Sequence, residues 1–237
     1  MNLNPVNIDF ILVNYFSEDY AKIAIDSIYK FTKSPFNIIL IDNSSNKELL
    51  KNKFKDFDKE NFYIIDGYNQ ESPEERFKSP IKMYPTKGGQ YGPGSLHHNK
   101  AFNLGIDLCK SKYICHLDID SLFLDYWEDD ILPLLETNLF ISSEMSRDIA
   151  REYFIIWERE KFKNLKLRPD LTFVDTCGNL TKYAYDNSIP FHITDSLKDD
   201  TKFHFHLGRG TSLEQYGQIE KKQKYKKNGQ LFLLNMG

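Results

Sequence analysis

Apolar residues fall along the first 120 positions in short runs, separated by polar turns and amphipathic stretches. Ile8 to Val13 is apolar except at Asp9 and predicts a strand. Ser17 then precedes a segment in which Tyr20, Ile23, Ala24, Ile28 and Phe31 recur at helical spacing, and Pro35 follows as its stop. Ile38 to Ile41 is continuously apolar, as expected of a strand covered on both faces, so the sheet should be parallel there. Lys47 to Phe54 predicts a short helix and Phe62 to Ile65 the next strand. This alternation is the signature of an α/β fold.

Residues 67 to 95 break the pattern with prolines, Gly88-Gly89 and Gly92-Pro93-Gly94, and predict a long loop of the kind that carries function. Ser95 is placed to cap a helix running to about Lys110, and Tyr113 to Leu117 reads as a buried strand ending in Asp118-Ile119-Asp120. Further on, the pattern predicts a helix at Ile131 to Leu135, a strand at Leu139 to Ser142, a charged aromatic amphipathic helix over Arg147 to Phe162, and helix again at Asn179 to Tyr185.

Composition narrows the classes. With 237 residues, 41% of them hydrophobic, the chain can bury a full core. A net charge of −3 supplies no polyelectrolyte drive toward nucleic acid, and no run approaches the roughly 20 apolar residues that span a bilayer. Met1 to Asn7 lacks the basic start and apolar stretch of a secretory signal, so a cytoplasmic location is expected. The basic run Lys221 to Lys227 reads as a solvated surface, or as peripheral contact with the inner face of a membrane. Cys109, Cys115 and Cys177 form no C-x-x-C pair and are expected to be reduced thiols.

In open α/β sheets ligands bind beyond the carboxyl ends of the strands. Three such ends are polar here: Asn14-Tyr15, Asp42-Asn43-Ser44 and Asp118-Ile119-Asp120. Aspartate content alone yields about two D-x-D spacings in a chain of this length, so position must decide between them. Asp56-Phe57-Asp58 lies in a lysine-rich stretch and reads as a solvated turn. Asp118 and Asp120 follow a buried strand, where i and i+2 share a side and can hold one hard cation, Mn²⁺ or Mg²⁺, against a diphosphate. His204 and His206 share a side in the same way, so His206 can join a metal while His204 reads as a strand histidine; Gly208-Arg209-Gly210 offers backbone amides and a bidentate donor to phosphate. His97 and His98, adjacent in a helix, diverge by about 100° and chelate poorly as a pair. Asp175, ahead of the helix at 179, is either a cap or a carboxylate placed to accept the proton of a hydroxyl.

In order along the chain these pieces resemble family 2 glycosyltransferases, over about Ile8 to Ser212. Ile11-Leu12-Val13-Asn14-Tyr15 is similar to the family's opening strand and turn, and Ile38 to Ser45 to its strand followed by Asp-Asn-x-Ser. Asn103-Leu104-Gly105-Ile106 with Ser111-Lys112-Tyr113-Ile114 is similar to the run leading into its D-x-D, and His206-Leu207-Gly208-Arg209-Gly210-Thr211-Ser212 to its closing His-x-Gly-x-x-Ser element. Two departures stand out: Val174-Asp175-Thr176-Cys177 lacks the usual Glu-Asp-x-Asp cluster, and Ser111 replaces a common glycine.

The resemblance implies one GT-A (Rossmann-like) domain, with a mixed, mostly parallel sheet flanked by helices. Residues 1 to about 120 would be its nucleotide-sugar half, about 121–215 its acceptor and catalytic half, and 216–237 a basic tail. It further implies transfer of a sugar, with inversion, from a UDP-, GDP- or dTDP-sugar to a glycan or lipid-linked glycan hydroxyl in surface polysaccharide synthesis. Val13, Asn14, Tyr15, Asp42, Asn43, Asp118 and Arg209 would meet the nucleotide, and Asp118, Asp120 and His206 the metal. Asp175 would be the base, with Glu144 as its fallback. Two other readings stay open: a nucleotidyltransferase, although Asn14 to Ser17 is not the Gly-rich basic loop such enzymes carry after the first strand, and a binding module without turnover. A zinc hydrolase on His204, His206 and the aspartates would need a further ligand that the spacing does not identify.

Overall fold

Strands β1 (Ile8–Asn14) and β2 (Phe36–Asp42) are buried along their whole length, and around them the chain builds a seven-stranded mixed sheet. The computed structural model describes residues 7–44, 47–55, 57, 60–68, 84–86, 89–91, 93–143, 145–146, 149–171, 176–194 and 203–206. The other strands, in chain order, are β3 (Phe62–Asp66), β4 (Tyr84–Thr86), β5 (Gly89–Tyr91), β6 (Tyr113–Leu117), β7 (Ser121–Phe123), β8 (Phe140–Ser142), β9 (Met145–Ser146), β10 (Ile149–Ala150), β11 (Phe154–Glu158), β12 (His192–Ile193) and β13 (His204–His206). The main sheet has the order β12-β8-β11-β6-β1-β2-β3. β6, β1, β2 and β3 are mutually parallel, β11 is antiparallel to both β6 and β8, and β12 is parallel to β8. Thus β11 alone runs against the other six, and the expected mixed, mostly parallel α/β sheet is what the chain forms.

Alternation along β1 divides the core in two. Ile8, Phe10 and Leu12 face helix α1 (Glu18–Phe31), whose Ala21, Ala24, Ile25, Ile28 and Phe31 cover that side together with Trp127 and Phe154. Ile11 and Val13 face the other way, toward Ala101 and Phe102 of α3 (Pro93–Leu108) and Leu180 of α6 (Gly178–Asp186). The shorter helices are α2 (Lys47–Lys53), α4 (Glu128–Ile131), which continues into a 3₁₀ turn over Leu132–Glu136, and α5 (Arg159–Leu165). α3 lies so close to β1 that a Cβ at Gly105 would stand 2.6 Å from Ile11 Cγ2. Within the sheet Asp9 is fully buried, and its carboxylate accepts bonds from Asn37 Nδ2 (2.8 Å), Lys110 N (2.7 Å) and Ser111 N (2.8 Å), which fix the loop between α3 and β6.

Three expectations need correction. The helix read over Arg147 to Phe162 is instead β10, a turn and β11, and helix begins only at Arg159. Phe154-Ile155-Ile156-Trp157 is a β-branched and aromatic run with both ladder edges paired, and burial between β6 and β8 outweighs its helical spacing of charges. The long loop 67–95 contains the β4–β5 hairpin, and α3 opens two residues before Ser95, at Pro93, where a missing N–H is harmless in a first helical turn. The helix expected at Ile131 to Leu135 is split between α4 and the 3₁₀ turn, with Pro133 at the junction. The three cysteines are buried free thiols, and burial pushes those of Cys109 and Cys115 well above the ordinary range, leaving them inert. Among the described residues no helix is long and apolar enough to cross a membrane.

Candidate functional site

The carboxyl ends of β2, β1 and β6 lie side by side on one edge of the sheet. Asp42 ends β2 and is only 1% exposed. Its Oδ1 accepts hydrogen bonds from Asn14 Nδ2 (2.9 Å), Ser44 N (3.0 Å) and Ser44 Oγ (2.6 Å), so the carboxylate is locked from β1 and from its own turn. Its Oδ2 is buried without a hydrogen-bond partner among the described residues, an acceptor held ready for a donor from outside. Asn43 ties this edge together: its Nδ2 donates to His97 O (3.2 Å) at the start of α3, and its Oδ1 accepts from Tyr68 N (2.8 Å) beyond β3. Gly67 permits that crossing, since a Cβ there would meet Asn43 Oδ1 at 2.3 Å. Tyr15 is half-buried at the mouth of β1, edge-on to Phe16 at 5.0 Å, and Phe16 takes a left-handed φ of 50° in that turn. The side chain of Val13 belongs to the core, so only its backbone can face a ligand.

Beyond β6 the chain turns at once, with Ser121 N donating to Asp118 O (2.9 Å), and enters β7. It is this turn, rather than an extended segment, that gathers the two carboxylates. β13 pairs antiparallel with β7, opposing His206 to Ser121, and sets His206 Nε2 3.2 Å from Asp120 Oδ1. One ligand atom each from Asp118, Asp120 and His206 lie within 4.8 Å of one another. The His206 ring stacks on Tyr153, with centroids 3.7 Å apart and planes 16° from parallel. Asp120 is 4% exposed, whereas Asp118 and His206 remain partly open. His204, two residues back, is buried against Phe154 and Phe203, and burial followed by the neighbouring His206 pushes its pKa down to about 3.

A second group adjoins the first. His98 of α3, His116 of β6 and Asp118 also place ligand atoms within 4.8 Å of one another. His116 is fully buried, its Nδ1 lies 2.8 Å from Glu152 O, and burial, then the nearby His98, lowers its pKa to about 3. His116 is not among the residues expected from the sequence, although its place two residues before Asp118, on the same strand face, is the signal that points to it. His97 and His98 diverge as a pair on one helix, whereas the partner of His98 comes from the sheet. Asp175, Glu144 and Arg209 lie outside the described residues, as do the Lys221 to Lys227 run and most of the stretch 67–95; of the Asp56-Phe57-Asp58 spacing only Phe57 is described.

No protein-family model matches the chain, and no curated protein sequence does. Solved structures do. A mannosyltransferase from Pyrobaculum calidifontis, in complex with GDP-Man and Mn²⁺, aligns over 81% of this chain and 55% of its own, at 13% identity and a TM-score of 0.52. TarS of S. aureus, as residues 1–349, aligns over 88% of this chain and 63% of its own, at 14% identity and a TM-score of 0.55. The same protein with UDP-GlcNAc aligns over 84% and 57%, at 14% identity and a TM-score of 0.53. These neighbours are glycosyltransferases, and the chain shares their GT-A-like fold while spanning 55 to 63% of their length.

Proposed function

We propose that the chain is a metal-dependent glycosyltransferase that moves a sugar from a nucleotide-diphosphate donor to an acceptor hydroxyl, with inversion. The observation that carries this reading is the convergence of Asp118, Asp120 and His206, drawn from two segments 86 or more residues apart in sequence, beside the locked Asn14–Asp42 pair on the ligand-binding edge of the fold. Two carboxylates and one imidazole within 4.8 Å form a donor set that suits Mn²⁺, and Mg²⁺ less well because it favours oxygen alone. Bound there, such an ion would neutralise the charge that gathers on a departing diphosphate.

The chain's own groups divide the remaining work. Asp42 Oδ2 accepts a ring N–H of the base, which favours uracil or a similar donor-bearing ring, while Asn14 and Asn43 keep the carboxylate and the edge in place and Tyr15 lies against the base. Asp118 meets the ribose as well as the metal, and Arg209 donates to the diphosphate. Asp175, three residues before α6 begins, takes the proton of the attacking hydroxyl, with Glu144 as the alternative base. The fold of the neighbours, two of them holding GDP-Man or UDP-GlcNAc, supports this assignment over a nucleotidyltransferase. The acceptor is proposed to be a glycan or lipid-linked glycan. A thermal-shift screen of UDP-, GDP-, dTDP- and CMP-sugars with Mn²⁺ tests the reading: one nucleotide class should raise the melting temperature, and EDTA should remove the gain. No shift with any donor, or one indifferent to EDTA, overturns it.

A further inference from the structure

We infer that the chain carries a second metal site, built from His98, His116 and Asp118, which takes a borderline divalent transition ion such as Zn²⁺ and shares the Asp118 carboxylate with the site above. Three observations converge on it. The first is geometric: a nitrogen of each histidine and an oxygen of Asp118 lie within 4.8 Å of one another. Ligands about 2.0 to 2.2 Å from one Zn²⁺ are separated by up to roughly 4 Å, so small side-chain movements complete the set.

The second is the state of His116. Glu152 O can only accept, so the His116 Nδ1 facing it at 2.8 Å bears the proton and Nε2 keeps its lone pair. That Nε2 is buried and has no hydrogen-bond partner among the described residues. A backbone carbonyl fixing one ring nitrogen while the other points free is how metal-ligating histidines are held. The ring cannot swing away, because Phe102 packs on it at 4.2 Å and meets Trp157 behind at 5.9 Å. Phe102 lies four residues after His98 on α3, so the same helix face that clamps His116 also delivers His98, whose ring stands edge-on to it at 5.4 Å and 80°.

The third is shared scaffolding. The turn before β11 orients both sites: Glu152 O holds His116, Tyr153 O accepts from Asp118 N at 2.9 Å, and the Tyr153 ring stacks on His206. Two imidazoles and one carboxylate suit Zn²⁺, with Co²⁺ and Fe²⁺ in the same class, and leave a coordination position open. Asp118 has two carboxylate oxygens and can face both clusters.

The inference does not depend on the transfer reaction. The test uses the full chain, stripped with EDTA and dialysed, with Zn²⁺ counted by equilibrium dialysis and elemental analysis and Co²⁺ followed by its visible absorption. Two ions per wild-type chain are expected. His98→Ala should lose one of them, weakening that Zn²⁺ by at least about 100-fold and removing part of the Co²⁺ absorption, while Asp120→Asn should spare this ion and lose the other. His116→Asn should match His98→Ala; because His116 is in the core, where a substitution also costs stability, half-buried His98 carries the decision. No Zn²⁺ bound by the wild-type chain, or unchanged stoichiometry in His98→Ala, overturns the second site. Failure of nucleotide-sugar turnover would leave the ion count intact, so the two readings fail separately.

Discussion

At the scale of single residues the edge of the sheet separates groups that hold from groups that wait. Among the described residues Asp42 Oδ1 takes three hydrogen bonds and Oδ2 none, so Asp42→Asn can keep the first set and exchange the second for a donor. Donor affinity should fall about 10-fold, roughly 1.4 kcal/mol, with little change in melting temperature, as calorimetric titration of the cognate nucleotide would show. If affinity is unchanged, the base does not rest on Asp42. Asp120→Asn should lower metal-dependent turnover by 100-fold or more while circular dichroism stays native, because a ligand is lost and the shape is kept. Turnover at the wild-type rate would remove the carboxylate pair from the mechanism. Much of this was readable beforehand, since Asp118 and Asp120 follow a buried run and His206 sits in a His-x-Gly element. His116 was not, because a histidine inside an apolar strand looks like core until the helix that packs on it is known.

Elements were legible where one period dominated. β1, α1, β2 and α3 declare themselves by long apolar runs or clear helical spacing, whereas β11 was hidden because Arg151, Glu158 and Glu160 around its apolar run imitate a helical face. The β7–β13 ribbon could not be foreseen either, as it joins positions about 80 residues apart through a strand of three residues. Gly105 shows what a short motif can encode: the glycine in Asn103-Leu104-Gly105-Ile106 lets α3 settle on Ile11. Gly105→Ala should destabilise the protein by about 1 to 3 kcal/mol in urea denaturation, since the added methyl must displace either the helix or a central-strand isoleucine. A loss smaller than 0.5 kcal/mol would mean that α3 rides more loosely on the sheet than its packing implies.

Over the whole molecule, two buried imidazoles set how the fold meets acid. His116 and His204 both have pKa values lowered to about 3 from an ordinary 6.5, so between those limits the unfolded chain binds protons that the folded chain refuses. Their contribution is complete above pH 6.5 and drains away as pH falls, at about 1.4 kcal/mol per pH unit for each histidine. Urea denaturation of the EDTA-treated protein should therefore show stability dropping between pH 6.5 and 5, above most carboxylate titration; a flat profile there would mean that these rings accept protons in the folded state. The same scale gives β6 an architectural weight of its own, because the reversal of strand direction runs along its boundary with β11. A cut in the exposed Asp125-Tyr126 stretch would leave the upstream piece with a bare β6 flank, along which every second residue loses the partners of its amide and carbonyl groups. Split there, the two pieces should stay in solution only when produced together, each serving as the other's missing border.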